Sequence, residues 1–328
     1  MNPTTGQLII QRADIRLELL PLGATLRRLD VAIGGGWRNI TLGHPTIADY
    51  QDDPGYLGAS VGRFANRIDH ARITVDGVTH ELAANLTPNQ LHGGPGGFST
   101  RPWDVLGVGE DWAEFGLTSP DGDQGFPGEV VARARYEVLD DGVAITYTAT
   151  TSAPTVVNLT NHAYFNLDGE GAGTIEDHRL LVDADAFTVL RDDGVPTGEI
   201  HTVEGTGLDL RTPQLIGAAR DQAVAKGWGR DGGIDHNFAI NGSGMRRHAV
   251  LSTADLSLTV FSDLPGVQVY TGNHFAGEPG TSGAPYPTFA GVALETQAFP
   301  DAPNHDNFPS TVLRPGQEYR TTTRWQFT

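Results

Sequence analysis

Two segments of the chain carry side chains able to move a proton. In Val156–Leu167, alternation by two places Asn158, Thr160, His162, Tyr164 and Asn166 on one face of an expected strand. Val157, Leu159, Ala163 and Phe165 fall on the other face, with Asn161 breaking the pattern. Histidine titrates near neutrality, and the run Asn-x-Thr-x-His-x-Tyr-x-Asn mixes donors and acceptors as a polyhydroxylated ligand requires. In Gly291–Ala298, Val292, Leu294 and Thr296 share one face, and Ala293, Glu295 and Gln297 share the other. Strand interiors are depleted in glutamate. A partly buried Glu295 would have its pKa raised towards that of a useful general base. Each segment also has a plainer reading: a solvated outer face for His162, an edge-strand charge for Glu295.

Other polar residues are open in the same way. Arg63 and Arg67 flank Asn66 and read either as ligand contacts or as a pair holding a loop. Asp235 follows Gly232-Gly233-Ile234 and reads as a site carboxylate or as a turn aspartate. Together Arg, Asn, Asp, His and Glu with nearby aromatics form the set that sugar sites use. Three further motifs lack the context their chemistry needs. Gly58-Ala-Ser60-Val-Gly62 matches a nucleophile elbow but has no parallel strand–helix alternation around it. Gly93–Gly97 does not open a helix, so it is expected as a bent loop rather than a phosphate cradle. Asp121-Gly-Asp-Gln-Gly125 lacks the closing glutamate of a calcium loop. The 11 histidines include no H-E-x-x-H and no close pair on a helix face, so no zinc site is expected.

These residues need elements to hold them. Short alternating runs are expected as strands at Leu8–Gln11, Ile15–Leu20, Leu26–Ala32, Arg72–Val75, Ala113–Thr118, Val130–Glu137 and Val143–Thr148. The same reading gives strands at Val156–Phe165, Leu180–Val182, Ala249–Ser252, Leu256–Ser262, Val267–Thr271, Gly291–Ala298 and Tyr319–Phe327. Turn pairs such as Asp76-Gly77, Asp141-Gly142 and Pro315-Gly316 separate them. One helix is expected over Thr212–Lys226, capped by Thr212, with Pro213 in its first turn and Gly227 ending it. Strand after strand with few crossover helices argues for an all-β antiparallel sandwich or barrel. No repeat or long linker divides residues 1–328, so one domain is expected.

Bulk properties narrow the partners. The formal charge of −18 opposes a nucleic-acid backbone or an anionic membrane surface and leaves a neutral small molecule as the easier ligand. The absence of cysteine excludes disulfides and thiol nucleophiles. Met1–Arg12 lacks the pattern of a secretory leader, and no stretch approaches the roughly 20 apolar residues of a membrane span, so the expected location is the cytoplasm.

At this point the residues resemble a known family, the aldose 1-epimerases or galactose mutarotases. The resemblance rests on Val61-Gly-Arg-Phe-Ala-Asn-Arg-Ile68, Gln90-Leu-His-Gly-Gly94, Asn158–Leu167 and Asp235-His-Asn-Phe238. It continues through Tyr270-Thr-Gly-Asn273, Ala293-Leu-Glu-Thr-Gln297 and Leu313-Arg-Pro-Gly316, in family order over nearly the whole chain. It implies a large two-layer antiparallel β-sandwich (a supersandwich) with few short helices, an open cleft, and neither metal nor organic cofactor. It implies Glu295 as general base and His162 as general acid in the interconversion of the anomers of a free aldohexose such as D-galactose or D-glucose. It adds His92 near the ring oxygen, and Arg67, Asp235, Asn66 and Gln297 as hydroxyl-binding residues. The expected partner is a monosaccharide, and the expected assembly a monomer or homodimer. Ile234 stands where many relatives carry tyrosine, and His274 where a hydrophobic residue is expected; both bear on sugar preference. Two other readings remain open: a hexose-phosphate mutarotase, and a non-catalytic carbohydrate-binding sandwich.

Overall fold

A computed structural model describes residues 6–51 and 53–328. Met1–Thr5, part of the segment read for a leader, and Asp52 lie outside the described residues.

Alternating apolar residues build two large antiparallel sheets. The nine-stranded sheet runs, neighbour by neighbour, through Asp104–Val108, Trp112–Ser119, Val130–Leu139, Gly142–Thr151, Tyr319–Phe327, Ser257–Ser262, Arg246–Ser252, Arg179–Val182 and Gln214–Leu215. The six-stranded sheet runs through Tyr164–Phe165, Val292–Gln297, Gly266–Tyr270, Asp235–Ala239, Ala186–Leu190 and Pro196–Thr202. A four-stranded sheet, Leu8–Arg12 to Gly36–Asn39, packs beside them. In Val130–Leu139, Val130, Ala132, Ala134, Tyr136 and Val138 are buried while the residues between them are not. Such alternation is how a sheet presents one face to a core and the other to water.

The main core lies between the two large sheets. Phe115, Tyr136 and Ile145 from one side join Phe238, Val267, Val269, Val292 and Leu294 from the other. The hydroxyls of Thr296 and Thr323 meet across the same interface. So Val292, Leu294 and Thr296 face the nine-stranded sheet, as their period-two spacing predicts, and Glu295 faces the opposite side.

Strands absent from the sequence reading form at Gly36–Asn39, Asp104–Val108, Ala186–Leu190, Pro196–Thr202 and Asp235–Ala239, and two expected elements change form. Val156–Phe165 is not one strand. It breaks into Thr155–Val156, Thr160–Asn161 and Tyr164–Phe165, which pair with Val312–Leu313, Ser60–Val61 and Val292–Gln297 in turn. Every residue from Thr155 to Leu167 is buried, which excludes the solvated-face reading of His162. The helix is Ile216–Ala225, shorter than expected. Thr212 does not cap it, because Gln214–Leu215 first pairs with Arg179–Leu180 and Leu215 occupies the cap position without a side-chain bond. Gly227, at φ +77°, ends it as expected, with Trp228 N–H bonded back to the Ala223 carbonyl. No helix among the described residues is long and apolar enough to cross a membrane.

Candidate active site

The face of the six-stranded sheet that points away from the core floors a cleft of about 330 Å³. Its register sets the order of side chains. Asp235 lies opposite Tyr270, and Gln268 lies opposite both Asn237 and Glu295. Residues opposite each other in an antiparallel ladder point to the same face. Asp235, Tyr270, Gln268 and Glu295 therefore share one polar surface.

His162 comes from the segment that crosses between sheets. Its backbone is fixed on both sides: its N–H donates to the Ala59 carbonyl at 2.9 Å, and its carbonyl accepts from Gly58 N–H at 3.0 Å. Gly58 sits at φ +69°, and a side chain there would meet the Leu26 carbonyl oxygen at 1.9 Å, so glycine is required for this hold. His162 Nε2 lies 3.5 Å from Glu295 Oε1. His162 Nδ1 and Glu295 Oε2 are buried and lack a hydrogen-bond partner. Burial pushes the His162 imidazole down to about 4, against the pull of Asp53 and Asp235. Burial, reinforced by Asp235, holds Glu295 well above the ordinary carboxylate range, with Arg67 opposing.

His92 packs its ring against His162, centroids 5.2 Å apart, with Tyr56 against both. Its backbone is left-handed at φ +51°, as is that of Asn66 at φ +68°. Such strain in a non-glycine residue persists only where surrounding bonds fix it. Here Asn66 N–H donates to His92 Nδ1 at 3.1 Å, and His92 N–H donates to the Asn66 carbonyl at 3.0 Å. With Nδ1 accepting, the ring proton sits on Nε2. Burial keeps the ring neutral, with His162 and Arg67 adding to the effect.

Asp235 is as buried as Glu295 but is held below the usual carboxylate range. Burial pushes it up, and Arg67 and Arg230 outweigh that, with Nη2 of Arg67 at 3.6 Å and Nε of Arg230 at 3.4 Å. Gln268 donates to its other oxygen at 2.6 Å.

The cleft brings together six of the seven residues singled out from sequence: Glu295, His162, His92, Arg67, Asp235 and Asn66. Gln297 does not line it. It shares the face of Glu295 but is fully buried against Asn237 and pairs with Gly266 farther along the strand. The polar run around His162 is also corrected. Asn158 clamps Ala65 and Ala298, and Asn166 binds the carbonyls of Ala290 and Gly173. Only His162 and Tyr164 of that run reach the cleft. Arg63 is structural: its guanidinium donates to the carbonyls of Ser119, Pro120, Pro127 and Gly128 and to the Ser119 hydroxyl. Sequence reasoning missed His44, Asp53 and Tyr56, which line the cleft from irregular loops, Glu278, which lines it from the two-residue strand Glu278–Pro279, and Arg230 behind Asp235. Loops carry no periodicity to read.

His92, His162 and Glu295 each place one possible ligand atom within 4.8 Å of the others. His92 nonetheless has its Nδ1 lone pair in a hydrogen bond and its proton on Nε2, so it has no lone pair to give a cation. Two ligands remain, fewer than the three a catalytic zinc keeps. The Gly93–Gly97 loop uses the N–H groups of Gly94, Gly96 and Gly97 on the Leu91 carbonyl, the Gln124 side chain and the Gly94 carbonyl, leaving none of these three for a phosphate. Ser60 is buried, bonded to the hydroxyls of Tyr136 and Tyr147 and to the Ala24 carbonyl. Such a hydroxyl is not a nucleophile at a cleft.

A large antiparallel β-sandwich holds a buried histidine–glutamate pair in an open polar cleft, an arrangement suited to acid–base chemistry on a polar ligand. The family model for aldose 1-epimerase matches residues 7–326, and the chain belongs to that family. It is 39% identical to aldose 1-epimerase of Escherichia coli, over 96% of this chain and 92% of that protein. It is 39% identical to bovine galactose mutarotase, over 99% and 94%. Among solved structures, a GalM/aldose epimerase homologue from C. elegans superposes with a TM-score of 0.91 at 30% identity over 98% of each chain. Galactose 1-epimerase of Lactobacillus acidophilus superposes with a TM-score of 0.85 at 27% identity, over 98% and 94%. The chain is an isomerase, a mutarotase of aldoses, and not a non-catalytic sugar-binding module.

Proposed function

We propose that this mutarotase acts on free, uncharged aldohexoses such as D-galactose and D-glucose, with Glu295 and His162 as its acid–base pair. The observation that carries the reading is that pair: two buried groups 3.5 Å apart, each with a polar atom that nothing in the protein satisfies. A buried polar atom left unpaired costs free energy, which a sugar hydroxyl bound in this cleft would recover.

In this reading Glu295 takes the proton of the anomeric hydroxyl while His162 gives one to the ring oxygen. The bond between the anomeric carbon and the ring oxygen breaks, the aldehyde turns, and the ring recloses on its other face with the two roles exchanged. The pair holds one proton in all. Burial places that proton mainly on Glu295; the reactive arrangement for the cyclic sugar is the less populated one, with Glu295 ionised and His162 protonated, which Arg67 and the carboxylates of Asp53 and Asp235 favour respectively. Ring opening leaves both groups neutral, the form that burial favours. The site thus stabilises the open-chain intermediate more than it would in water. His92 offers its Nε2–H as a donor beside the pair, and Asp235, Arg67 and Asn66 bind hydroxyls.

A phosphorylated sugar fits less well. Asp53, Asp235 and Glu278 line the cleft along with Glu295, and Arg67, the cleft-lining cation a phosphate would need, is already paired with Asp235. Lys226, the sole lysine, sits at the C-terminal cap of the helix. The same reading takes residues 1–328 as one domain, supported by a family match that spans 7–326. Polarimetry on freshly dissolved α-D-galactose, D-glucose, D-xylose, L-arabinose and glucose 6-phosphate tests the substrate reading. Rapid equilibration of the free hexoses and little acceleration of the phosphate are expected. A preference for the phosphate would overturn it.

A further inference from the structure

His274 is unexplained by the chemistry at the anomeric centre. It lines the same cleft, yet it sits beyond Tyr270, which is itself separated from His162 by the ring of Tyr164. Its backbone N–H donates to the Tyr270 hydroxyl oxygen at 3.2 Å, and its Nδ1 lies 2.9 Å from the same oxygen. The phenol has thus accepted one hydrogen and has one to give, and Nδ1 is placed to take it. That leaves the imidazole proton on Nε2, which faces Asp231 Oδ2 at 3.6 Å. The opposite tautomer would aim a nitrogen lone pair at a carboxylate. At 3.6 Å the two groups are too far apart to bond each other. Asp231 Oδ2 lies 3.3 Å from Nε of Arg230, which is 3.4 Å from Asp235 Oδ2, so one guanidinium forms ion pairs with both carboxylates.

The geometry points to His274 and Asp231 as a second hydroxyl-binding station, remote from the anomeric carbon, that sets which aldose the enzyme prefers. A hydroxyl is both donor and acceptor. Inserted here, it accepts from Nε2–H and donates to Asp231 Oδ2, satisfying two groups that the protein leaves unsatisfied towards each other. A methylene in the same place displaces water from both groups and returns neither hydrogen bond, so a sugar lacking that hydroxyl binds less well. The inference rests on the mutarotase reading, because the pair at Glu295 fixes which end of the sugar faces away from His274. His274 is a specificity residue and takes no part in proton transfer. Its side chain is 68% exposed, so replacing it leaves the core intact.

The test is a cycle of protein against ligand. Wild type and His274→Phe are assayed by polarimetry or by NMR exchange between anomers, on D-galactose and on its 2-, 3-, 4- and 6-deoxy analogues. In wild type, one deoxy sugar is expected to lose at least tenfold in kcat/KM, mainly through KM. In His274→Phe, D-galactose should show a KM raised about tenfold with kcat within twofold, and the penalty for that one deoxy sugar should vanish while the others keep theirs. Asp231→Asn should erase the same penalty in part. Deoxy penalties identical in wild type and variant would overturn the inference, as would a fall in kcat common to all sugars. Failure of the mutarotase reading looks different: wild type itself would not accelerate the anomerisation of any sugar in the panel.

Discussion

Two carboxylates in one cleft respond to burial in opposite ways. Glu295 and Asp235 are both nearly inaccessible, at 2% and 6% exposure. Glu295 is held well above the ordinary carboxylate range, and Asp235 below it. The difference lies in their neighbours. Asp235 has Arg67 and Arg230 within 3.6 Å and an amide donor at 2.6 Å. Glu295 faces a neutral histidine and the negative charge of Asp235. Burial alone penalises charge, and the number of cations in reach decides whether the penalty is met. One carboxylate is thereby fixed as a charged grip, the other left free to gain and lose a proton. On the proposed mechanism, Asp235 binds and Glu295 reacts.

The largest effect should come from the reacting end. Glu295→Gln and His162→Asn are each expected to lower kcat for D-galactose by roughly 10²- to 10⁴-fold, the usual range for acid–base catalysis, with folding retained by circular dichroism. Near wild-type turnover in either variant would remove that residue from the pair. The gripping end should behave differently. Asp235→Asn strips Arg67 and Arg230 of a buried partner, at a cost of roughly 3–5 kcal/mol in stability. It should also raise KM by about 10- to 100-fold, the worth of a hydrogen bond to a charged group. Because Asp235 holds Glu295 up, its loss should also move the alkaline limb of the rate profile to lower pH. An unmoved limb would mean the two carboxylates do not sense each other.

Burial without a compensating charge also marks stability. His162, His236 and His248 are all pushed down from 6.5 to about 4 by desolvation. Each therefore binds fewer protons folded than unfolded between those two values, and stability falls as pH drops through 6.5 towards 4. The contribution is roughly 3 kcal/mol per residue at most. Glu295 works the other way, since its raised pKa favours the folded state most at low pH, and that advantage is lost as pH rises above 4.5. Urea midpoints at pH 7 and 4.5 should differ in wild type, and the gap should narrow in His248→Gln, which lies outside the cleft. An unchanged gap would count against desolvation as its cause. The smallest effect is expected at Ser60. Ser60→Ala should cost about 1 kcal/mol, since it removes hydrogen bonds beneath the site, and should leave kcat unchanged.

Much of this was legible in the sequence, though unevenly. Period-two alternation located Val130–Leu139 and Tyr319–Phe327 and put Glu295 on the correct face of its strand. Parity tells which face a residue is on, not how far along that face the cleft extends, and so Gln297 was drawn into a site that stops short of it. The segment holding His162 defeated parity because it changes partner every few residues and is buried on all sides. The asparagines of its polar run satisfy backbone where the ladders end rather than a ligand. Asp235 looked like a turn because Asp-His-Asn-Phe-Ala has no alternation to mark it as a strand. Asp53 and Tyr56, on a loop, gave no local signal. Their role appears only once tertiary packing lays them over His162.

The central claim is that Glu295 and His162 share one proton across the anomeric centre. The pH profile of kcat/KM for D-galactose tests it most directly, because it reports the free enzyme's own groups. Below His162's value of about 4 both groups are protonated and the base is lost. Above Glu295's raised value neither is protonated and the acid is lost. The account expects activity to hold steady down to pH 5 and to fall only with an acid midpoint near 4, with an alkaline midpoint well above 4.5. Loss of activity on the acid side with a midpoint near 6.5, as an unperturbed histidine would give, would contradict it.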